Sequence, residues 1–381
     1  MARVVIIGGG FGGLAAAHEL RSAHPELEVT LLDRRDHFFM GFAKLWDLAG
    51  VRPLADGTRS LHALERRGVR FVQTEVTDID AAARRVDTDA GSFDADALLI
   101  ALGAIHAPAH VSLLDAPGAH DLYDPAALPA MRAELDSVVD GRVLVSILGG
   151  PFQCPPAPFE AVLAIDERLR RRGVRDRVEV AISTPQPMTL PVAGVDASRY
   201  LASHLGERGI ELLAEHAVER VDGAGRTVAF TNGTSVGYAV LLGVPAASAP
   251  PVLATAGLTG PSGFVEPDPR TLRTRFDRVY AVGDCTHVPT ASGALPKAGV
   301  FAASQGAVAA RNIAAELLGG ERARFDGYGL CFLELPGEQV AFVEGDFLAE
   351  PRPEVTLTGA DHERYLRKQA FERERLDAWL G

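Results

Sequence analysis

The sequence contains little cysteine, fewer basic than acidic residues and no long apolar run. Three cysteines in 381 residues are too few for the disulfide framework of a small secreted domain. The 38 basic residues fall short of the 50 acidic ones, and the resulting net charge of −12 repels the phosphate backbone of a nucleic acid. The longest uncharged stretch, 231–265, holds four prolines and six glycines, which no membrane helix tolerates. These shortages predict a soluble, cytoplasmic protein that binds no nucleic acid.

The start of the chain and its histidines exclude two further classes. Met1-Ala2-Arg3 leads directly into a strand-like run, so no secretory signal is expected. His106 and His110 are four residues apart, but Pro108 is expected to break the helix that would align them as metal ligands. We therefore predict no metal site.

Two stretches of the chain have the order of elements that opens a dinucleotide-binding domain: buried strand, glycine turn, helix, second strand. A late buried strand and a long helix follow, whereas 106–129 is rich in proline and alanine and is predicted to be a linker or surface segment. The predicted elements are strands at 4–7, 28–32, 97–101, 142–148, 178–182, 279–282, 331–335 and 340–343, with helices at 14–20, 161–171, 298–318 and from about 362 onward.

The first glycine turn has the full context of a dinucleotide site. Gly8, Gly10 and Gly13 follow a strand and open a helix, where they permit a tight turn, close approach to a pyrophosphate and close packing of helix on strand. Asp33 ends the second strand, where its carboxylate would accept hydrogen bonds from ribose hydroxyls. An acid at this position disfavours a 2′-phosphate, so the ligand is FAD or NAD rather than NADP.

Two later motifs favour FAD. Val282-Gly283-Asp284 resembles the motif by which flavoproteins with two dinucleotide-binding domains hold the ribityl chain and pyrophosphate, and Ala101-Leu102-Gly103 resembles their Ala-Thr-Gly turn. We expect Cys285, next to Asp284, to be a packing residue. The expected FAD-binding residues are Gly8, Gly10, Phe11, Gly12, Gly13, Asp33, Arg34, Val76, Ala101, Gly103, Gly283, Asp284 and Lys297.

These motifs define the expected fold class and domains. We predict an α/β protein with two Rossmann-like domains and a small C-terminal α+β region. Residues 1–107 and 245–320 would form the FAD-binding domain, 108–244 a degenerate NAD-binding-like domain, and 321–381 an interface region. Charges of mixed sign in the terminal helix disfavour a membrane-surface role, so a packing role or a homodimer contact is expected, with peripheral membrane contact left open.

The second glycine turn is unsuited to a nicotinamide dinucleotide. Gly149-Gly150 is followed by prolines at 151, 155, 156 and 158, and proline has no N–H to donate to a phosphate. No acidic residue follows the partner strand at Ser183-Thr184-Pro185. The second domain is therefore expected to keep the architecture without the ligand.

Three segments carry a family resemblance. Gly150-Pro151-Phe152-Gln153-Cys154-Pro155-Pro156-Ala157-Pro158-Phe159-Glu160 resembles the redox-cysteine segment of the flavoprotein subunit of flavocytochrome c sulfide dehydrogenase. Leu295-Pro296-Lys297-Ala298-Gly299 and Leu330-Cys331-Phe332-Leu333-Glu334 resemble that family and the related sulfide:quinone oxidoreductases. The resemblance covers nearly the whole chain, and its Cys-Pro-Pro segment is the most specific part.

The resemblance implies a redox disulfide between Cys154 and Cys331, with Glu160 as the acid/base carboxylate. Lys297 would stabilise negative charge on the flavin, although a solvated surface lysine is the alternative reading; for Cys331 the alternative is an inert core cysteine. The sulfide dehydrogenases attach their flavin to a cysteine in the loop after the second strand. Residues 37–42 here contain none, so noncovalent FAD is expected.

The implied activity is FAD-dependent oxidation of sulfide or a related sulfur species, with a quinone or another electron acceptor. Phe38, Phe39 and Phe42 are expected to be core residues rather than a quinone pocket. Two alternatives remain open: a type II NADH dehydrogenase-like NADH:quinone oxidoreductase, and a non-catalytic flavin-binding redox sensor.

Overall fold

The computed structural model describes residues 1–381. Three sheets and seven helices make up the framework. The strands are β1 (Arg3–Ile7), β2 (Glu28–Asp33), β3 (Arg70–Gln73), β4 (Ala97–Ile100), β5 (Ala119–Asp121), β6 (Gly141–Ile147), β7 (Val178–Ser183), β8 (Glu211–Leu213), β9 (Val240–Val244), β10 (Val279–Ala281), β11 (Tyr328–Leu335), β12 (Gln339–Asp346) and β13 (Glu354–Asp361). The helices are α1 (Phe11–Ala23), α2 (Ala43–Ala49), α3 (Leu128–Ser137), α4 (Ala157–Arg171), α5 (Gly194–Glu207), α6 (Gly299–Leu318) and α7 (His362–Leu380).

The first sheet is a parallel sheet in the order β10-β4-β1-β2-β3. Its central strand β1 is apolar on both faces, and Val4 to Ile7 are all buried, as expected when helices or loops cover both faces of a sheet. Helices α1 and α6 cross on one face so closely that a Cβ on Gly306 would collide with the backbone of Gly12. The late strand β10 thus returns to the sheet that β1 begins.

The second sheet is also parallel, in the order β5-β9-β6-β7-β8. Its β6-α4-β7 unit repeats the β1-α1-β2 unit of the first sheet. The two parallel sheets confirm the predicted α/β class with Rossmann-like domains.

The third sheet is antiparallel and consists of β11, β12 and β13, followed by α7. Leu333, Leu335 and Ala341 from this sheet join the apolar core of the second parallel sheet, whereas Leu376 and Trp379 from α7 join that of the first. The C-terminal region therefore packs on both parallel sheets.

Two expectations about local structure were wrong. The segment 106–129 is no linker, because β5 pairs with β9 inside the second sheet. Helix α4 begins at Ala157, four residues before the predicted start, because Pro158 stands in the first turn, where a missing N–H costs nothing. As expected, no helix carries both His106 and His110: a short helix begins at Pro108 and ends at Val111, and His106 lies before it in a strand.

No helix in the structure combines the length and the apolar character that crossing a bilayer requires.

Candidate active site

The first glycine turn forms an open cradle at the carboxyl end of β1. Gly8 has a φ of 108°, a conformation that favours glycine, and a Cβ there would collide with the carbonyl of Ala101. A Cβ on Gly13 would strike the carbonyl of Gly8, whereas the space beside Gly10 is empty. The free N–H groups of the first turn of α1, which begins at Phe11, thus lie next to open space, as a pyrophosphate requires.

Asp33 ties the end of β2 to this turn. Its side chain is buried, its Oδ2 accepts a hydrogen bond from the Gly9 N–H at 2.6 Å, and its Oδ1 accepts one from the Arg35 N–H at 2.8 Å. The carboxylate is therefore held at the position where a ribose would meet it. Arg34 is exposed and lies 3.8 Å from Glu75, next to the half-buried Val76.

The two later motifs follow β4 and β10, the strands on the other side of β1 from β2. Gly103 follows β4, has a φ of 66° and faces open space. The N–H of Gly283 donates to Gln305 at 2.7 Å, and the Asp284 carboxyl group accepts from Gln153 at 2.7 Å. Burial raises the pKa of Asp284, although Gln153 and Lys297 act in the opposite direction.

These residues fit FAD. The glycine turn and the first turn of α1 would hold the pyrophosphate, Asp33 a ribose hydroxyl pair, and Asp284 the ribityl chain and pyrophosphate. The Cβ collisions at Gly8 and Gly13 show that the turn leaves no room for side chains on its inner side, which is the feature that lets a backbone approach a phosphate.

Cys154 lies directly against the FAD cradle. Its N–H donates to the carbonyl of Lys297 at 2.7 Å, and Gln153 forms a β-bridge with Lys297. Tyr123, buried beneath the loop, donates its hydroxyl to the carbonyl of Gln153 at 2.7 Å. The backbone of Cys154 has a φ of 50°, which is unfavourable for a residue with a Cβ. These contacts fix the backbone that carries the thiol.

Lys297 is buried, so the surface-lysine reading is wrong. Its Nζ donates to the carbonyls of Asp284 at 2.7 Å and Thr286 at 3.1 Å, and it lies 3.5 Å from the centre of the Phe264 ring. Burial lowers the pKa of Lys297, and the Asp284 carboxylate opposes that effect. The residue braces the loop of Asp284 just before α6.

Cys331 shares the electrostatic environment of Cys154. All three cysteines are free thiols in this structure. Burial, followed by the charge of Glu160, raises the pKa of Cys331 to about 12. Burial also raises the pKa of Cys154, and the charges of Glu160 and Cys331 add to the effect. The disulfide itself stays a prediction. Cys285, in contrast, is fully buried and donates its Sγ–H to the carbonyl of Val282, as expected of a packing residue.

Glu160 belongs to a buried ion cluster. Its Oε1 accepts hydrogen bonds from Lys368 Nζ at 2.9 Å and from the Glu334 N–H at 2.8 Å. Lys368 Nζ also donates to Glu334 Oε2 at 2.8 Å, and Trp46 Nε1 donates to the same oxygen at 2.9 Å. Burial raises the pKa of Glu160 against the opposing effect of Lys368. Sequence reasoning did not find Lys368, which stands in a run of charged helix residues.

Lys44 is a second cation that sequence reasoning missed. Its Nζ donates to the carbonyl of Tyr123 at 2.5 Å and lies 5.2 Å from the centre of the Tyr123 ring. Burial lowers the pKa of Lys44 to about 8, while Asp121 and Cys154 act in the opposite direction. The ammonium group therefore lies within electrostatic reach of the Cys154 thiol.

Protein atoms lie against the second glycine turn at Gly149. A Cβ on Gly149 would collide with the imidazole of His110, whose Nδ1 accepts the Ala246 N–H at 3.0 Å. The carbonyl of Pro151 accepts the Ala247 N–H at 2.6 Å. The imidazole thus lies against the turn where a second pyrophosphate would have to approach.

With this geometry in place, comparison with known proteins identifies the class. The chain belongs to the pyridine nucleotide-disulphide oxidoreductase family, whose family model matches residues 2–150 and 160–307. The match spans both parallel sheets, and the chain is an oxidoreductase of this family.

Its relatives narrow the class. The sulfide-quinone reductase of Aquifex aeolicus is 26% identical over 97% of this chain and 89% of that protein. The mitochondrial sulfide:quinone oxidoreductase of Mus musculus is 24% identical over 91% of this chain and 79% of its own length. A type II NADH:quinone oxidoreductase of Staphylococcus aureus is 24% identical over 90% and 93%, respectively.

The X-ray structure of the Aquifex aeolicus sulfide:quinone oxidoreductase has the same fold. It matches with a TM-score of 0.88 at 24% identity, over 98% of this chain and 90% of that one. The resemblance that the cysteine segments indicate is thereby confirmed.

Proposed function

We propose that this protein is an FAD-dependent oxidoreductase that oxidises sulfide or a related sulfur species through Cys154 and Cys331 and passes the electrons to a quinone or another acceptor. The observation that carries the proposal is the position of Cys154. Its backbone N–H is hydrogen-bonded to the carbonyl of Lys297 at the edge of the FAD cradle. The charges of Glu160 and Cys331 both raise the pKa of its thiol.

The first step is a thiol–disulfide exchange. Hydrosulfide attacks one sulfur of a Cys154–Cys331 disulfide, the S–S bond breaks, one cysteine becomes a persulfide and the other leaves as a thiolate. The cysteine sulfurs gain two electrons from the substrate in this exchange. FAD, when bound, supplies the acceptor for an electron pair and a route to the quinone.

Glu160 is the proton donor for the leaving thiolate. Burial makes a thiolate costly at both cysteines, because it raises the pKa of each. A neighbouring acid that stays protonated until the thiolate forms can then neutralise that thiolate. Burial raises the pKa of Glu160, which favours its protonated form. General acids with raised pKa values are typical of active sites.

FAD is proposed to bind without a covalent link. The loop 37–42 carries no cysteine, and backbone donors and two carboxylates of the cradle would hold the cofactor. Acid precipitation of the loaded protein should therefore leave the flavin in the supernatant; flavin retained in the pellet would contradict this.

Aromatic side chains offer a surface for a flat acceptor. Phe332 lies 6.4 Å from Phe42 and 5.3 Å from Phe371, centre to centre, in edge-to-face contacts, and Lys368 Nζ lies 5.0 Å from the centre of the Phe42 ring. Phe42 and Phe371 are half-buried, so Phe42 is not the fully buried core residue that the sequence predicts. A quinone is the acceptor that the names of the sulfide-oxidising relatives suggest.

The relative named as an NADH:quinone oxidoreductase favours a second candidate function, oxidation of NADH. The second glycine turn argues against it, because His110 lies against Gly149 and four prolines remove N–H donors from the loop.

Steady-state turnover with sulfide and a soluble quinone analogue tests the proposal. Turnover should be lost, by at least two orders of magnitude, in Cys154→Ser and in Cys331→Ser. The matched control is Cys285→Ser, which changes the buried packing cysteine and should keep turnover. A wild-type protein that binds FAD but turns over neither sulfide nor NADH would instead be a redox sensor. The homodimer and the cytoplasmic location expected from the sequence stay predictions.

A further inference from the structure

Two carboxylates compete for one buried ammonium group. Lys368 is 1% exposed, and its Nζ stands between Glu160 Oε1 at 2.9 Å and Glu334 Oε2 at 2.8 Å. If all three groups were ionised, the cluster would carry a net negative charge away from water, which is costly. Retaining one proton on a carboxylate removes that charge.

The surroundings decide which carboxylate keeps the proton. The Glu334 side chain is 21% exposed, against 4% for Glu160, and the single Nε1–H of Trp46 lies within hydrogen-bond distance of both Glu334 oxygens. Glu334 is thus the better solvated anion. Both hydrogen bonds to Glu160 end on Oε1, which leaves Oε2 to carry a proton.

We propose that Glu334 is a positioning residue that shares the ammonium group of Lys368 with Glu160 and thereby keeps Glu160 protonated beside the cysteines. The inference rests on the proposed function of Glu160 as a proton donor. Glu334 acts in two ways. Its N–H donates a hydrogen bond that fixes Oε1 of Glu160. Its carboxylate shares the positive charge of Lys368, which would otherwise favour ionisation of Glu160.

The other charged groups around the cluster do not replace Glu334. Glu160 also faces the two thiols and Tyr123, all neutral at physiological pH and without a charge to offer. Lys368 faces the Phe42 and Trp46 rings and Tyr365. Arg52 lies on the Trp46 ring and is paired with Glu372, so its charge is already matched.

The test is a titration of the Glu160 carboxyl group by infrared difference spectroscopy on the oxidised, FAD-loaded full chain. The band of the protonated acid is assigned by its loss in Glu160→Gln. In Glu334→Gln the ammonium group has Glu160 as its one carboxylate partner in the cluster. The pH at which the band is half lost should therefore fall by about one unit or more. Glu334→Asp withdraws the carboxylate by one methylene and should give an intermediate shift. Glu344→Gln, on the neighbouring strand, is the matched control and should give none.

A second readout is the pH profile of flavin reduction by sulfide. The alkaline limb, where Glu160 loses its proton, should move down by the same amount in Glu334→Gln. A folded Glu334→Gln protein with an unshifted band overturns the inference, and an unshifted Glu334→Asp does so if the first variant does not fold. If the band shifts but sulfide reduces no flavin in the wild type, the proposed function fails and the inference about the proton stands.

Discussion

A few polar side chains of this protein lie out of water and carry its chemistry. Lys368 is 1% exposed and Glu160 4%, and the Lys368 ammonium group lies between the carboxyl groups of Glu160 and Glu334. Such pairs are weak contributors to stability, because desolvation offsets most of the attraction. Under the proposed function, their place in the electrostatic surroundings of the two cysteines serves proton transfer rather than folding.

The cysteines give a direct chemical prediction. If Cys154 and Cys331 are bonded in the oxidised enzyme, thiol counting in denaturant should find one free thiol, that of Cys285, before reduction and three after it. Bridging requires Cα atoms within about 7 Å. Three free thiols in the unreduced protein would contradict the redox pair while leaving the FAD site untouched.

Lys44 gives a prediction about stability and pH. Its pKa falls from 10.5 to about 8 on folding, so the unfolded chain binds more protons and the charged lysine destabilises the fold below pH 8. The penalty shrinks as the pH rises towards 10.5. Lys44→Met should therefore raise the free energy of unfolding more at pH 7 than at pH 10. The two gains should differ by about 2 kcal/mol. Urea unfolding of both proteins at both pH values measures it; an equal effect at pH 7 and pH 10 would show that the lysine pays no desolvation cost.

The sequence predicted the residues that stand in motifs and missed those that act from elsewhere in the chain. Asp33, Asp284 and Cys154 follow strand ends or glycine turns, where spacing has a fixed structural meaning. Lys44 and Lys368 stand in helices, and nothing in their local pattern distinguishes them from solvated lysines. Only tertiary packing buries them.

Among the elements, the second strand–turn–helix unit differs most from a standard dinucleotide-binding unit. It has the β6-α4-β7 order of a nucleotide site, yet prolines occupy its turn and His110 lies against Gly149. The prolines predict a loss of N–H donors, but the contact of His110 with the turn could not be predicted, because the residue lies 39 positions upstream of Gly149 in a segment expected to be a linker or surface segment.

This element predicts slow reaction with NADH. Each lost hydrogen bond to a charged phosphate costs about 1.5–3 kcal/mol, and two such losses weaken binding roughly a hundredfold or more. Millimolar NADH or NADPH should therefore reduce the flavin far more slowly than sulfide does, as followed by anaerobic stopped-flow absorbance. A rate with NADH equal to that with sulfide would mean that the dinucleotide binds in spite of the blocked turn.

For the whole molecule, the decisive feature is that three separate parts of the chain meet at one site. The FAD cradle lies at the carboxyl ends of β1, β4 and β10, Cys154 and Glu160 lie just before α4 and in its first turn, and the C-terminal region contributes Cys331, Glu334 and Lys368. Motif spacing predicted the two Rossmann-like units, because each is local in sequence. It could not predict the ion cluster, since Glu160 and Lys368 are 208 residues apart and meet only when α7 packs back.

Anaerobic mixing of the FAD-loaded enzyme with sulfide tests the central claim most directly. The account predicts that sulfide delivers one pair of electrons per flavin and bleaches the flavin band of the wild type. The Cys331→Ser variant, which keeps the FAD cradle intact, should show no bleaching. A wild-type flavin that stays oxidised with sulfide, or a Cys331→Ser protein bleached as fast as the wild type, would contradict it.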